Sequence, residues 1–406
     1  MKAIAGIALA LAVSVGCGGS SSQPHRPRTG RVMSASGLPL GSYTYVRVTG
    51  CPDQELARDG TFDVSCATST YDVAVTYSTD AIVYQGLTRR DPVLTYPGLL
   101  MWDDRITVSG TIVGATPGRS AGVAITPGWW NRGLSDALAD GAFSRDAYRF
   151  DNDDPSVSVH ALEWTETPGG TSSFTGYGAA AATLTHGVNP TVSPVLAPIA
   201  TGWITASTVA ALPATRAVLA EWPDGALTQV GQLWPWSRAA DVPTPDIPGV
   251  TFTFVATQDG NPMVGAWRRG LPATAAIDPF GLPTAAAFTA PSPGAVVNRN
   301  TEFAFEGTAG AVYLVAFEAT TPHGPWLYVV TRATSARMPD LSWARYPPPE
   351  AIGTLNVSVN AFGPLGSVDE AAAEPLTQFP AGGLWASPIP PSGFGTRHTV
   401  QVQATR

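Results

Sequence analysis

The stretch Tyr71 to Tyr77, YDVAVTY, alternates along its length. Tyr71, Val73, Val75 and Tyr77 fall on one side of an extended chain and Asp72, Ala74 and Thr76 on the other. Successive strand side chains point to opposite faces, so this period of two marks a strand with one face in a core. The same alternation returns in TLNVSVNA, where Leu355, Val357 and Val359 oppose Asn356, Ser358 and Asn360. AVYLVAF, Ala311 to Phe317, is apolar throughout and reads as a strand covered on both sides. The only helix suggested is short, around Ser135 to Asp140. An all-β fold follows.

Composition agrees. The 406 residues suffice for two to four domains. Charged residues are only 13% of the chain, about half the usual share, while 42 Gly and 37 Pro supply turns. A net charge of -8 with no basic run argues against a nucleic-acid partner, because phosphate binding needs clustered Lys or Arg.

A repeat organises the strands. Three times a Gly-x-aliphatic strand start is followed by an Asp-Gly turn and an apolar residue: Gly30-Arg31-Val32 with Asp59-Gly60, Gly110-Thr111-Ile112 with Asp140-Gly141, and Gly202-Trp203-Ile204 with Asp224-Gly225. Asp-Gly suits a type I′ hairpin, so these aspartates are expected to be turn residues. The period suggests small β-domains in tandem. The expected boundaries are 29–106, 107–198, 199–287 and 288–406, each unit a β-sandwich.

The first unit, through Gly30, Val32, Gly37, Pro39, Leu40, Gly60, Phe62, Tyr71 and Val73, resembles the carboxypeptidase regulatory-like domain, a transthyretin-like sandwich. Thr70 stands where that family usually has Gly. The resemblance implies a fold and a noncatalytic accessory role, and it transfers no active site. The last unit strings PSPGAVVNRNTEFAFEG, AVYLVAFEA, WLYVVTRATSARMPDLS, TLNVSVNAFGP and TRHTVQVQA between Pro-rich joints. In strand rhythm it resembles a fibronectin type III or immunoglobulin-like module, without the Cys…Trp…Cys pattern of true immunoglobulin domains.

At the N-terminus, Lys2 precedes an apolar run from Ala3 to Val15, which has signal-peptide length and is too short to span a bilayer. Ser14-Val15-Gly16-Cys17 then resembles a bacterial lipoprotein signal. That implies cleavage after residue 16, lipid on Cys17 and, with Gly18 following, an outer-membrane address. Residues 17–28 become a flexible tether. The alternative is an ordinary secretory signal cut near Gly18 or Gly19. Cys51 and Cys66 remain, and in an oxidising compartment the simplest outcome is one disulfide, with zinc the weaker alternative.

Chemistry is sparse. Gly118-Arg119-Ser120-Ala121-Gly122 is formally G-x-S-x-G, with His160 or His186 as base and Asp151 or Asp154 to orient it. The elbow, however, requires a helix after the serine, and VAITPGWW reads as a strand ending in Pro-Gly. The acidic run with Asp146, Asp151, Asp153 and Asp154 offers oxygen ligands at calcium-like spacing, against a solvated loop. No cofactor is otherwise indicated. Among twelve tryptophans, Trp129-Trp130 is the adjacent pair of which one should face outward. Asn131 and Arg132 beside it suit a polysaccharide or protein ligand. The expected function is a noncatalytic, outer-membrane lipoprotein with a structural, adhesive or binding role. A carbohydrate-binding surface protein comes second and a Ser120 hydrolase third.

Overall fold

The structure, a computed structural model, describes residues 28–34, 40, 44–96, 104–126, 134–138, 140–149, 155–166, 172–206, 215–224, 226–233, 241–278, 281–321, 324–347, 352–373 and 392–405. The chain is all-β. YDVAVTY is a strand over the predicted residues, with Tyr71, Val73 and Val75 buried.

The first unit comprises β1 (Thr29–Ser34), β2 (Thr44–Val48), β3 (Gln54–Glu55), β4 (Thr61–Asp63), β5 (Tyr71–Tyr77), β6 (Asp80–Leu87) and β7 (Val93–Tyr96). Strand β1 sits between β4, antiparallel, and β7, parallel; the second sheet runs β3-β2-β5-β6. The next segment is β8 (Asp104–Thr111), β9 (Ser120–Thr126), β10 (Ser135–Asp136), β11 (Ala142–Arg149), β12 (Ser156–Glu166), β13 (Ser172–Thr183), β14 (Thr191–Val192) and β15 (Ala197–Pro198). Its sheets run β11-β8-β14 and β10-β9-β12-β13-β15. The third contains β16 (Thr201–Ala206), β17 (Thr215–Glu221), β18 (Leu227–Leu233), β19 (Asp241–Pro245), β20 (Thr251–Gln258), β21 (Met263–Leu271) and β22 (Ala275–Ile277), ordered β19-β16-β22 and β18-β17-β20-β21. Apart from β15, one seven-strand plan is therefore built three times, with the Gly-x-aliphatic strand at the centre of each small sheet. Gly110 shows why glycine stands there: a Cβ at this position would overlap the Val192 carbonyl oxygen of the parallel neighbour.

Three expectations change. The Asp-Gly turns before β4 and β11 match bond for bond: Gly60 N–H donates to Ala57 O as Gly141 N–H does to Leu138 O, and Asp59 and Asp140 each accept from the backbone two residues on. Only the glycines have positive φ, 79° and 80°, so these are not type I′ turns, which need two left-handed residues. The third such aspartate, Asp224, lies instead in the β17–β18 hairpin, and the strand equivalent to β4 and β11 is β19. Where a helix was expected around Ser135 to Asp140, Ser135–Asp136 is a strand that pairs with β9, and Ala137 N–H donates to Ala121 O. Six residues before a glycine are too few to hold a helix against an available strand edge.

The last segment has β23 (Ala287–Ala290), β24 (Val296–Val297), β25 (Phe303–Glu306), β26 (Val312–Ala319), β27 (Trp326–Thr331), β28 (Ser335–Ala336), β29 (Gly353–Gly363), α1 (Val368–Ala372) and β30 (Ser392–Ala404). The sheet β23-β25-β28 faces β27-β26-β29-β30, with β24 parallel to β30. Helix α1 starts on the N-cap Ser367, whose Oγ accepts from Glu370 N–H, while the Glu370 carboxylate accepts from Gly366 N–H one residue before the cap.

These units are not separate beads. Strand β6 pairs in parallel with β27, and β21 pairs antiparallel with β30, so the larger sheets of the first, third and fourth units fuse into one 13-stranded sheet. Alternation along β26 sends Val312, Leu314 and Ala316 into the first unit's core cluster, and Tyr313, Val315 and Phe317 into the fourth unit's own. AVYLVAF is thus covered on both sides. The same covering buries Ser358 and Asn360, which the alternation of TLNVSVNA placed toward solvent; Asn360 Nδ2 donates to Leu314 O and Ser358 Oγ, both 3.2 Å. Helix α1 adds Val368, Ala371 and Ala372 to that side, and the buried Asp369 carboxylate accepts from Thr88 N–H, Thr88 Oγ and Arg89 N–H of the first unit. Cys51 and Cys66 form a disulfide.

Candidate functional site

Because β6 and β27 lie side by side, the outer face of the first unit's sheet meets the loop that follows β28. In-register pairing lines up Arg47, Ala74, Val83 and Val329 across β2, β5, β6 and β27. Ala74 and Val83, about 4.8 Å apart on neighbouring strands, make an apolar floor, with Val329 beside them buried in the fourth unit's core. The segment Ser335 to Asp340, with Trp343, rises over this floor and encloses a cleft of about 480 Å³. That is within the range of small-molecule sites.

Charge in the cleft is largely internally matched. Arg47 grips Asp53 with both ends of its guanidinium, Nε to Oδ1 at 2.6 Å and Nη2 to Oδ2 at 2.7 Å, while its Cζ lies 4.7 Å from the Trp343 ring centre. The bond from Arg47 holds the Asp53 carboxyl below its usual range, and Asp53 raises the guanidinium in turn. Arg337 pairs with Glu302 at 3.2 Å. Bonds from Ser335 and then Arg337 lower the Glu302 carboxyl. Asp340 is lowered first by the Ser342 N–H that it accepts. Asp72 accepts from Gly86 N–H at 2.9 Å. Further along the same wall, Tyr346 meets Tyr45 edge-on at 6.3 Å between ring centres.

A second concentration of polar side chains is buried between the second and third units. His160 on β12 lies flat against Trp222, 3.7 Å between ring centres and 12° between planes. Its ring nitrogens each bond a hydroxyl at 3.0 Å, Nε2 with Thr126 and Nδ1 with Tyr177. A neutral imidazole has one donor and one acceptor, and hydroxyls serve either role, so the network is complete without charge. Burial pushes the imidazole down to about 4, against a small opposing pull from Asp224. Leu162 and Phe174 join the third unit's core beside it.

The residues singled out from sequence distribute as follows. Cys17, Trp129, Trp130, Asn131, Arg132, Asp151, Asp153 and Asp154 lie outside the described residues. Asp146 pairs with Arg105 and accepts from Thr107 Oγ1. Ser120 opens β9 opposite Trp164, whereas His160 stands opposite Ala124, about 13 Å further along at strand spacing. Ser120 leads into a strand, with the neighbouring Arg119 bonded to the buried Glu163. His186 follows β13 at its far end, and His398 Nδ1 accepts from Phe288 N–H. Among the described residues no three His, Cys, Asp or Glu side chains converge as a metal set. The cleft was missed in the sequence because its floor and wall are some 250 positions apart. The one local signal was Trp343 among Arg, Asp and Pro in RMPDLSWARYPPP, a composition of loop and not of strand. No protein-family model matches the chain, and no curated protein matches its sequence.

Proposed function

We propose that this chain is an exported, noncatalytic binding protein of the cell envelope, tethered to the outer membrane through lipid on Cys17, whose ligand site is the cleft beneath Trp343. The first unit is a carboxypeptidase regulatory-like sandwich. The recurrence of its strand order supports the same assignment for the second and third units. The three-strand sheet facing β27-β26-β29-β30 supports a fibronectin III or immunoglobulin-like fourth unit.

The observation that carries this reading is the preformed cleft. Its two sides belong to different units, yet the β6–β27 ladder and the Asp369 contacts fix them against each other, so a ligand meets a site already in place. Binding is tested by adding the dialysed polymer fraction of the cell envelope to the purified protein. A rise in melting temperature in wild type that is lost in Gln85→Trp, which fills the cleft, is expected. No rise in either protein refutes binding there. A fluorophosphonate adduct on Ser120 would overturn the noncatalytic part. For the anchor, Cys17→Ala should remove the lipid mass and release the protein to the soluble fraction.

A further inference from the structure

We infer that the ligand of the Trp343 cleft is a neutral, hydroxyl-rich saccharide; the inference rests on the cleft being a binding site. The floor is apolar, Ala74 and Val83 on adjacent strands with Val329 buried at its edge. One wall holds Trp343, which packs against the fourth unit's core with the Arg47 guanidinium over its ring, so it closes the wall and leaves stacking to the floor. An aliphatic floor takes the C–H face of a sugar ring, since it contributes contact area without demanding hydrogen bonds.

The polar groups decide the charge. Both lining arginines already have carboxylate partners, Arg47 with Asp53 and Arg337 with Glu302, so an anionic ligand would meet a carboxylate already beside each guanidinium. The remaining carboxylates do not make a cation site. Asp340 holds the Ser342 N–H and stands in the field of Arg299 and Arg47, and Asp72 holds the Gly86 N–H. What is left uncommitted is neutral or accepting. The Gln85 amide bonds to none of the described residues, and Asp72 Oδ2 carries no described bond. A hydroxyl both donates and accepts, so a row of hydroxyls can serve a carboxylate oxygen and an amide together.

The test is calorimetric titration of the full-length protein with neutral gluco-, manno- and xylo-oligosaccharides, an oligogalacturonate, a chitosan oligomer, and acidic and basic peptides. At least one neutral oligosaccharide should bind, Gln85→Ala should weaken it about three- to tenfold, as loss of one neutral hydrogen bond implies, and Gln85→Trp should abolish it. Near-ultraviolet circular dichroism of each variant shows that the fold is kept. Binding of the charged ligands alone, binding undiminished in Gln85→Trp, or no binding across the panel overturns the inference. If the panel fails while envelope polymers still shift wild type and not Gln85→Trp, the saccharide assignment falls and the binding site stands.

Discussion

Acidification should weaken the joint between the second and third units through a single residue, His160. The side chain is 6% exposed, stacked on Trp222 and fully bonded as a neutral ring, and burial lowers it to about 4. In the unfolded chain the same imidazole titrates near 6.5. Between those values the unfolded state binds the proton and the folded state does not. The stability lost is therefore absent above pH 7, grows as pH falls through 6.5, and levels off below 4. With 1.36 kcal/mol per pKa unit, the loss is about 2 kcal/mol at pH 5 and about 3 kcal/mol at pH 4. The Asp224 charge acts in the opposite direction and is the lesser effect. The assay is urea denaturation of wild type and His160→Gln at pH 7.5, 6, 5 and 4, following Trp fluorescence. Other carboxylates titrate alike in both proteins, so the difference between the two curves isolates His160. That difference should move by about 2 kcal/mol in the variant's favour from pH 7.5 to pH 5. A pH-independent difference would falsify the claim that His160 is buried uncharged.

Three more outcomes are expected. Replacing Cys51 and Cys66 together by Ser should cost about 3 kcal/mol, the loop entropy of a 15-residue separation, read as a lower urea midpoint that reductant does not lower further. Asp369→Ala removes a buried carboxylate that accepts from Thr88 and Arg89, and should cost at least ~2 kcal/mol, with the first unit melting or being cut by protease ahead of the fourth. Gly110→Ala should cost about 1–3 kcal/mol by forcing β14 off β8, visible as faster amide exchange in both strands.

Much of the architecture was legible in the residues. The alternation of Tyr71 to Tyr77 places a strand and its buried face, the Gly-x-aliphatic starts mark the central strand of three small sheets, and two cysteines at modest spacing pair. Helix α1, capped by Ser367, was not among the sequence expectations, which placed the only helix at Ser135 to Asp140. Asn360 misled because it is buried, its amide nitrogen donating to the Leu314 carbonyl and Ser358 while Oδ1 has no partner among the described residues.

What the chain encodes by itself is the strands, their inward faces and the turns between them, because periodicity and turn chemistry are set by residues close in sequence. Only the tertiary structure decides that three units share one sheet, and hence that Arg47 meets Trp343. The β6–β27 and β21–β30 ladders are made by backbone N–H and C=O groups, which almost every residue carries, so no side-chain pattern announces which edges will meet.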